Sequence, residues 1–203
     1  MISRRLFISA VLAAAASARV AAAASAEPRA TVDAFYDVLL SVMKDGQKLG
    51  FAGRRARLAP AIEQAFDLPV MTRLVVGLQW QSVSPAEQQQ LIAAFSEFSI
   101  ATYASQFDDY SGESFEVDQK ADPAPGNDAI VHTKLVQPSD KPVQLDYLLR
   151  HAQEKWRIID VYLSGTVSQL AARRSEFSSV LRQSGVAGLV ALLKQKTAQL
   201  ASS

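Results

Sequence analysis

The chain has 203 residues, of which 49% are hydrophobic and 20% are charged, so it can bury a sizeable core as a single domain. It contains no cysteine and only two histidines, which excludes disulfides and a thiolate nucleophile and leaves too few ligands for most metal sites, so no cofactor is predicted. The formal net charge of +1 gives no electrostatic reason to expect a nucleic-acid partner.

Residues 1–24 have the composition of an export signal. A basic start precedes an apolar run over residues 6–16, and small residues suited to cleavage follow. The run is too short and too rich in alanine for a membrane anchor, which needs about 20 strongly apolar residues. Residues 3–7 (Ser-Arg-Arg-Leu-Phe) match the twin-arginine signature, and an ordinary secretory signal is the alternative. We therefore expect a periplasmic mature protein, residues 25–203, without a transmembrane segment.

Apolar residues recur at helical spacing in the first part of the mature chain. They predict a helix over residues 27–45, a second over residues 53–66 and a short third over residues 70–77. The third helix is almost wholly apolar, so it must either be buried or line an internal space. The second carries a basic cluster near its start, Arg54, Arg55 and Arg57. We interpret this cluster as a solvated face rather than an anion-binding site.

Residues 84–87 carry the clearest local signal in the chain. Ser84 can cap the first turn of a helix, Pro85 suits the first helical position, and Glu87 completes a capping box. A long helix therefore begins at Pro85. Its apolar residues cover about half of the helix circumference, which predicts contact with more than one neighbour. These residues are Leu91, Ile92, Phe95, Phe98, Tyr103 and Phe107.

Four strands are predicted after this helix, with turn residues between them. They cover residues 114–121, 129–137, 143–150 and 155–163. The last two form an antiparallel hairpin around residues 153–154. Because the strands are separated from the helices along the chain, we predict an α+β fold, a four-stranded curved antiparallel sheet covered by helices.

Two helices are predicted over residues 166–200, with Gly185 between them. Arg174 falls on the apolar stripe of the first of these helices. A charge on an apolar stripe needs a partner, and Asp146 or Asp160 in the adjacent sheet would serve. The alternative is an arginine that faces a ligand.

Several blocks of sequence occur together in an order that resembles one family. They are residues 66–73 (Phe-Asp-Leu-Pro-Val-Met-Thr-Arg), residues 80–98 with Ser-Pro-Ala-Glu-Gln, residues 156–161 (Trp-Arg-Ile-Ile-Asp-Val), residues 165–177, and residues 185–189 (Gly-Val-Ala-Gly-Leu). Over essentially the whole mature chain this pattern resembles the MlaC (toluene-tolerance) family, and the first block is similar to its hopanoid-associated HpnM branch. One departure is Ala172-Arg173, where the family often has asparagine and tyrosine before the arginine.

The resemblance implies a soluble periplasmic lipid carrier rather than an enzyme. The sheet and helices would enclose an apolar cavity for the acyl chains, with the head group near the mouth. The cargo would be a phospholipid or a hopanoid. The partners would be an outer-membrane lipoprotein complex and an inner-membrane complex of an MCE-domain protein with an ABC transporter.

A soluble carrier must replace the membrane interior with an apolar wall, because each CH₂ group exposed to water costs about 0.8 kcal/mol. The candidate wall residues are Val75, Leu78, Phe95, Phe98, Tyr103, Phe107, Val131, Leu135, Leu145, Tyr147, Leu149, Ile158 and Val161. Three arginines near the ends of their elements are candidates to meet a phosphate at the mouth. These are Arg73, Arg150 and Arg174.

Two other classes of function compete with a carrier. An enzyme would need a polar constellation in the pocket, and the candidate is His132 with Asp146 or Asp160. We assign no catalytic residue, because a surface or hydrogen-bonded histidine is the commoner role. An interaction module would bind its partner at the sheet edge or through the basic first helices. Extraction of bound lipid separates a carrier from both alternatives.

Overall fold

The computed structural model describes residues 27–202. The predicted export signal, residues 1–24, lies outside the described residues and stays a prediction. Every helix predicted after it is present. The helices are α1 (Pro28–Lys44), α2 (Gly46–Ala65), α3 (Leu68–Val76), α4 (Pro85–Gln106) and α5 (Gln169–Ser202), and a 3-10 helix (Gly77–Ser82) links α3 to α4.

Local sequence explains where the helices begin. The predicted capping box of α4 is confirmed, because the Ser84 side chain accepts a hydrogen bond from the Glu87 amide and the Glu87 carboxylate accepts one from the Ser84 amide. Asp67 caps α3 in a related way, its side chain accepting from the Val70 amide at 3.1 Å.

Two of the helices are interrupted at glycine. Gly50 in α2 and Gly185 in α5 have φ values of 59° and 61°, which are strained for residues with a side chain. The break at Gly185 confirms the two predicted C-terminal helices. The break at Gly50 explains why α2 starts before residue 53: a short N-terminal piece precedes the predicted helix.

The sheet contains seven strands among residues 27–202, rather than the four predicted. The strands are β1 (Ser114–Val117), β2 (Asp122–Ala124), β3 (Asp128–Val131), β4 (Thr133–Val136), β5 (Val143–Ala152), β6 (Lys155–Leu163) and β7 (Val167–Ser168). All of their pairings are antiparallel, so the predicted α+β class is confirmed.

The higher strand count comes mainly from two interruptions of long strands. β3 and β4 both pair with β5 in one continuous register, from Asp128 opposite Arg150 to Leu135 opposite Val143, and only His132 separates them. β1 and β2 likewise follow each other along the outer edges of β4 and β3. The four predicted strands are therefore retained in antiparallel order, with β2 lying in a stretch predicted as a turn and β7 added beyond β6.

The hairpin between β5 and β6 fixes the register of the sheet's central strands. Gln153 and Glu154 have φ values of 51° and 59°, as a two-residue turn between twisted antiparallel strands requires. The register shifts by one residue next to Leu149, which leaves Ile159 as the extra residue of a β-bulge. A bulge bends and twists the bulged strand.

The helices pack against one face of the sheet and against each other. Phe35 of α1 makes edge contacts with Phe66 and Tyr103, at ring-centroid distances of 5.1 and 5.4 Å. Next to it, Tyr36 stacks on Phe115 of β1 at 4.0 Å. Fully burying one such large apolar side chain stabilises the fold by roughly 1.5–3 kcal/mol.

The basic cluster of α2 is not uniformly solvated. Arg54 is buried, and its guanidinium donates to the backbone oxygens of Ala104 and Gly46 at 2.7 and 2.9 Å. Arg54 thus ties α2 to the end of α4. The prediction of a solvated face holds for Arg55 and Arg57, which lie at the surface in ion pairs.

Candidate functional site

A cavity of about 340 Å³ lies between the inner face of the sheet and helices α2, α3, α4 and α5. Its wall is mainly apolar and aromatic, and among residues 27–202 it takes one carboxylate and one cation, from Asp160 and Arg173. The lining residues are Ile62, Phe66, Leu68, Met71, Phe95, Phe98, Ser99, Thr102, Tyr103, Gln106, Phe107, Leu135, Val143, Leu145, Tyr147, Asp160, Val161, Leu163, Gln169, Leu170 and Arg173.

The exposure of these residues shows where the cavity opens. Ile62, Phe66 and Leu68 are buried and form its floor, where α2 passes into α3. Gln106 and Leu163 are exposed. The mouth therefore lies between the end of α4, the end of β6 and the start of α5.

The structure brings eight of the thirteen predicted wall residues into this cavity. They come from α4 and from the inner face of strands β4, β5 and β6. They are Phe95, Phe98, Tyr103, Phe107, Leu135, Leu145, Tyr147 and Val161.

The other five predicted wall residues lie elsewhere. Val131, Leu149 and Ile158 are fully buried toward the hairpin end of the sheet, where α1 and the Phe66 backbone cover the same inner face. That end is filled by the protein's own side chains. Val75 and Leu78 lie beyond the cavity, around a smaller depression between α3 and α5.

The three predicted head-group arginines do not line the cavity. Arg73 is exposed on α3. Arg150 is held near the hairpin by two hydrogen bonds to Asp128, at 2.8 and 2.7 Å, and this contact raises the pKa of Arg150 despite some burial. Arg174 is exposed, and its guanidinium lies against Gly77.

The predicted ion pair between Arg174 and a buried aspartate is wrong. Asp160 instead accepts hydrogen bonds from the Ser168 hydroxyl at 2.5 Å and from the Leu170 amide at 3.0 Å, where it caps α5. Asp146 contacts His132 and Gln144 on the other face of the sheet. Neither carboxylate therefore pairs with Arg174.

Arg173 is the cation that the structure places in the cavity wall. Its guanidinium lies over the Phe98 ring, 4.9 Å from the centroid, and donates to Glu176 at 2.9 Å. Glu176 also pairs with Lys196 at 2.7 Å, and these hydrogen bonds and charges outweigh partial burial to lower its pKa. The sequence does not single out Arg173, because Arg173 and Arg174 lie three and four residues after Leu170 and both spacings place a side chain near the same helix face.

Tyr103 and Tyr147 line the cavity, and Tyr36 contacts Tyr147 from behind it with ring centroids 5.6 Å apart. Burial raises the pKa values of Tyr103 and Tyr147, and it raises the pKa of Tyr36 to about 12 despite hydrogen bonds that lower it. The Tyr36 hydroxyl shares a hydrogen bond with the Thr133 hydroxyl at 2.6 Å. The wall is therefore uncharged at its centre at neutral pH.

Comparison with known proteins assigns the chain to a family. The family described as "MlaC protein" matches residues 33–195, which is most of the chain. The chain belongs to the MlaC family. The narrower resemblance to the HpnM branch stays a prediction.

A solved structure supports this assignment within the MlaC family. It is a phospholipid-binding protein from Ralstonia solanacearum, determined in complex with a phospholipid. The two chains are 26% identical and superpose with a TM-score of 0.75, over 87% of this chain and 99% of the other. This chain therefore shares its α+β fold with the Ralstonia protein.

A second concave region lies on the far side of α4. It is an open groove of about 940 Å³ between α2, α4 and the second half of α5, with alanine-rich walls and the Arg55–Glu97 ion pair at its side. The groove is larger than the cavity, but among the residues that the structure describes no strand lines it and its one aromatic lining residue is Phe51. The cavity is the better candidate for an apolar ligand, because the sheet and four helices surround it and several aromatic rings line it.

His132 lies on the outer face of the sheet, away from the cavity. Its neighbours in sequence face the helices, and its ring nitrogens contact Asp146 at 3.0 Å and Asp122 at 3.1 Å. Burial lowers the pKa of His132, but the hydrogen bonds and charges of the two aspartates outweigh burial and raise it. The proposed His132–Asp pair thus exists with Asp146, but it does not face the pocket.

We expect His132 to make folding stability pH-dependent near neutrality. Because its folded-state pKa is raised, its contribution is complete below its ordinary pKa of 6.5 and is lost as the pH rises through the folded-state value. Urea unfolding between about pH 6 and pH 8 should show wild-type stability falling relative to that of His132→Gln. Parallel stability curves for the two proteins would contradict this role.

Residues 27–202 offer neither a metal site nor a membrane-spanning helix. No group of three or more histidine, cysteine or acidic side chains is placed to hold a metal ion in this part of the chain. No helix in the same range has the length and hydrophobicity to cross a membrane.

Proposed function

We propose that this MlaC-family protein is a periplasmic carrier that holds the acyl chains of a phospholipid in the cavity between its sheet and helices. One observation carries the proposal, namely a cavity with an apolar wall and an open mouth in a chain of this family. Its volume of about 340 Å³ is at the lower end of the range for ligand pockets. The bound phospholipid of the Ralstonia protein supports the choice of cargo.

The cavity wall replaces the apolar contacts that a lipid chain loses when it leaves a membrane. Aromatic rings from α4 and aliphatic side chains from β5 and β6 surround the cavity, so acyl CH₂ groups exchange membrane contacts for protein contacts. An empty cavity leaves its lining without packing partners, which costs stability. The lipid-loaded protein is therefore the more stable form.

Arg173 favours a phospholipid over a neutral hopanoid as the cargo. It is the one cation that the described part of the chain places in the cavity wall, and one guanidinium nitrogen is engaged by Glu176 while others remain available as donors. A phosphate at the mouth would accept from these donors in a charge-assisted hydrogen bond. We assign the head-group contact to Arg173 in place of Arg73, Arg150 and Arg174.

The proposed transport step moves the lipid between two membranes. Family membership and the predicted export signal support a route through the periplasm, from an outer-membrane lipoprotein complex to an inner-membrane MCE-protein and ABC-transporter complex or in the reverse direction. The carrier would shield the acyl chains from water while it diffuses between these partners.

Extraction of the purified mature protein into organic solvent tests the proposal. We expect about one phospholipid per protein by mass spectrometry, with Arg173→Gln retaining less anionic phospholipid by about threefold to tenfold, because one charge-assisted hydrogen bond is lost. Lys120→Gln is the matched control, since it removes an exposed charge between β1 and β2. A protein free of lipid would refute the carrier. A hopanoid extract unaffected by Arg173→Gln would refute the head-group contact alone.

A further inference from the structure

One apolar side chain projects from the protein next to α3. Leu78 is 87% exposed, more than any other large hydrophobic residue in the described part of the chain. It follows Gly77, whose φ of 69° turns the chain out of α3 into the 3-10 helix. Leu74, one turn earlier on α3, is also partly exposed. A single exposed leucine is ordinary on a protein surface, so the residues around Leu78 decide whether it belongs to a binding surface.

The surroundings of Leu78 are cationic. Arg174 and Arg182 of α5 line the same small depression as Leu78, and none of the residues lining it is acidic. Both arginines are exposed, and neither forms an ion pair or a side-chain hydrogen bond with any residue between 27 and 202. The Arg174 guanidinium is seated on Gly77, where an added β-carbon would come within 2.8 Å of Nη2.

The sequence leaves these charges uncompensated. The chain contains no acidic residue between Asp67 and Glu87, and none after Glu176. The Glu176 carboxylate is already shared by Arg173 and Lys196. The positive charge at this surface is therefore available to an anionic partner.

We propose that the surface formed by Leu78, Arg174 and Arg182, here called the Leu78 tip, docks the protein onto an anionic phospholipid membrane. Guanidinium groups donate several hydrogen bonds to phosphate oxygens, and the exposed leucine at the same depression would reach the boundary between head groups and acyl chains. A protein partner would usually need about 800 Å² from each side, whereas one leucine and two arginines make a small contact. A lipid surface requires only an apolar tip and attraction to its negative charge.

The Leu78 tip lies on the two helices that also form part of the cavity wall. α3 contributes Met71 to the cavity and Leu78 follows its end, while adjacent residues of α5, Arg173 and Arg174, face the cavity and the tip. Docking would thus hold the walls of the cavity near the membrane. The inference stands without the proposed carrier function, because docking does not require bound lipid.

Co-sedimentation with vesicles tests the docking. The mature protein is mixed with vesicles of phosphatidylcholine alone, or with vesicles in which about a third of the lipid is phosphatidylglycerol. We expect binding to the anionic vesicles that weakens as salt is added, because exposed charges are screened. Arg174→Gln and Arg182→Gln should each weaken the partition by about fivefold, and Leu78→Ser by about tenfold.

Lys120→Gln serves as the control for loss of a charge and should bind as the wild-type protein does. Lipid extracted from each variant is measured in parallel, so that loss of docking is separated from loss of cargo. Equal binding to neutral and anionic vesicles, or anionic binding unchanged in Leu78→Ser and Arg182→Gln, would overturn the proposal. Binding to the anionic vesicles that depends on both arginines but not on Leu78 would show an electrostatic contact in which the apolar tip takes no part, and it would also overturn the proposal.

Discussion

Leu145→Arg is expected to lower the lipid retained by the purified protein to about a tenth of the wild-type amount or less. Leu145 lies on β5 opposite Leu163 of β6, and its half-buried side chain lines the cavity close to the mouth. A guanidinium at this position would either remain in the apolar wall without a partner or fill the space of the acyl chain to reach water. Either arrangement competes with lipid binding.

The measurement is the molar ratio of extracted phospholipid to protein, with thermal unfolding as the check on the fold. Ala93→Arg is the matched control, because Ala93 is an exposed residue of α4 that lines the open groove rather than the cavity. It adds the same charge to a neighbouring surface and should leave lipid retention unchanged. If Ala93→Arg empties the protein while Leu145→Arg does not, the acyl chains lie in the groove.

The parts of the fold that follow from neighbouring residues could be predicted from the sequence. The capping box at Ser84 and Glu87 set the start of α4, and the positive φ of Gly185 divided α5 where the glycine indicated. The hairpin around Gln153 and Glu154 followed from two apolar runs separated by a short polar turn. In each case the contact that fixes the structure is between residues a few positions apart, so a short stretch of sequence is enough to recognise it.

The division of the inner sheet face into core and cavity could not be predicted in this way. Leu145 and Leu149 alternate onto the same face of β5, and nothing in their spacing distinguishes them. Leu149 is fully buried because the helices fill the hairpin end of the sheet, whereas Leu145 remains at the cavity. That distinction depends on contacts between segments far apart in the chain.

The sequence also does not show which of the two adjacent arginines of α5 faces the cavity. Arg173 and Arg174 are three and four residues after Leu170, and both spacings place a residue near the same helix face. The sheet decides between them by fixing the start of α5 through Asp160, which rotates Arg173 toward the cavity and Arg174 toward Gly77. Because a buried carboxylate holds the first turn of α5, the helix cannot rotate to exchange the positions of Arg173 and Arg174.

Asp160→Ala is therefore expected to destabilise the lipid-free protein by about 3 kcal/mol. The carboxylate is buried and accepts from the Val161 and Leu170 amides and from the Ser168 hydroxyl, so its removal leaves three donors unpaired beside the start of α5. The loss should appear as a lower midpoint in urea unfolding with an unchanged slope. Lipid-free protein is required because Asp160 also lines the cavity, and bound lipid would add its own stabilisation.

Ser168→Ala provides the comparison that assigns this loss to the cap. Ser168 donates to Asp160 and accepts from the Ala171 amide at 2.9 Å, so it belongs to the same network, and we expect it to cost about 1 kcal/mol alone. The double variant should be less destabilised than the two single losses added together, because each substitution removes a partner of the other. Strict additivity, or a loss below about 0.5 kcal/mol for Asp160→Ala, would mean that packing rather than the cap orients α5. In that case Arg173 would keep its place over Phe98 without Asp160.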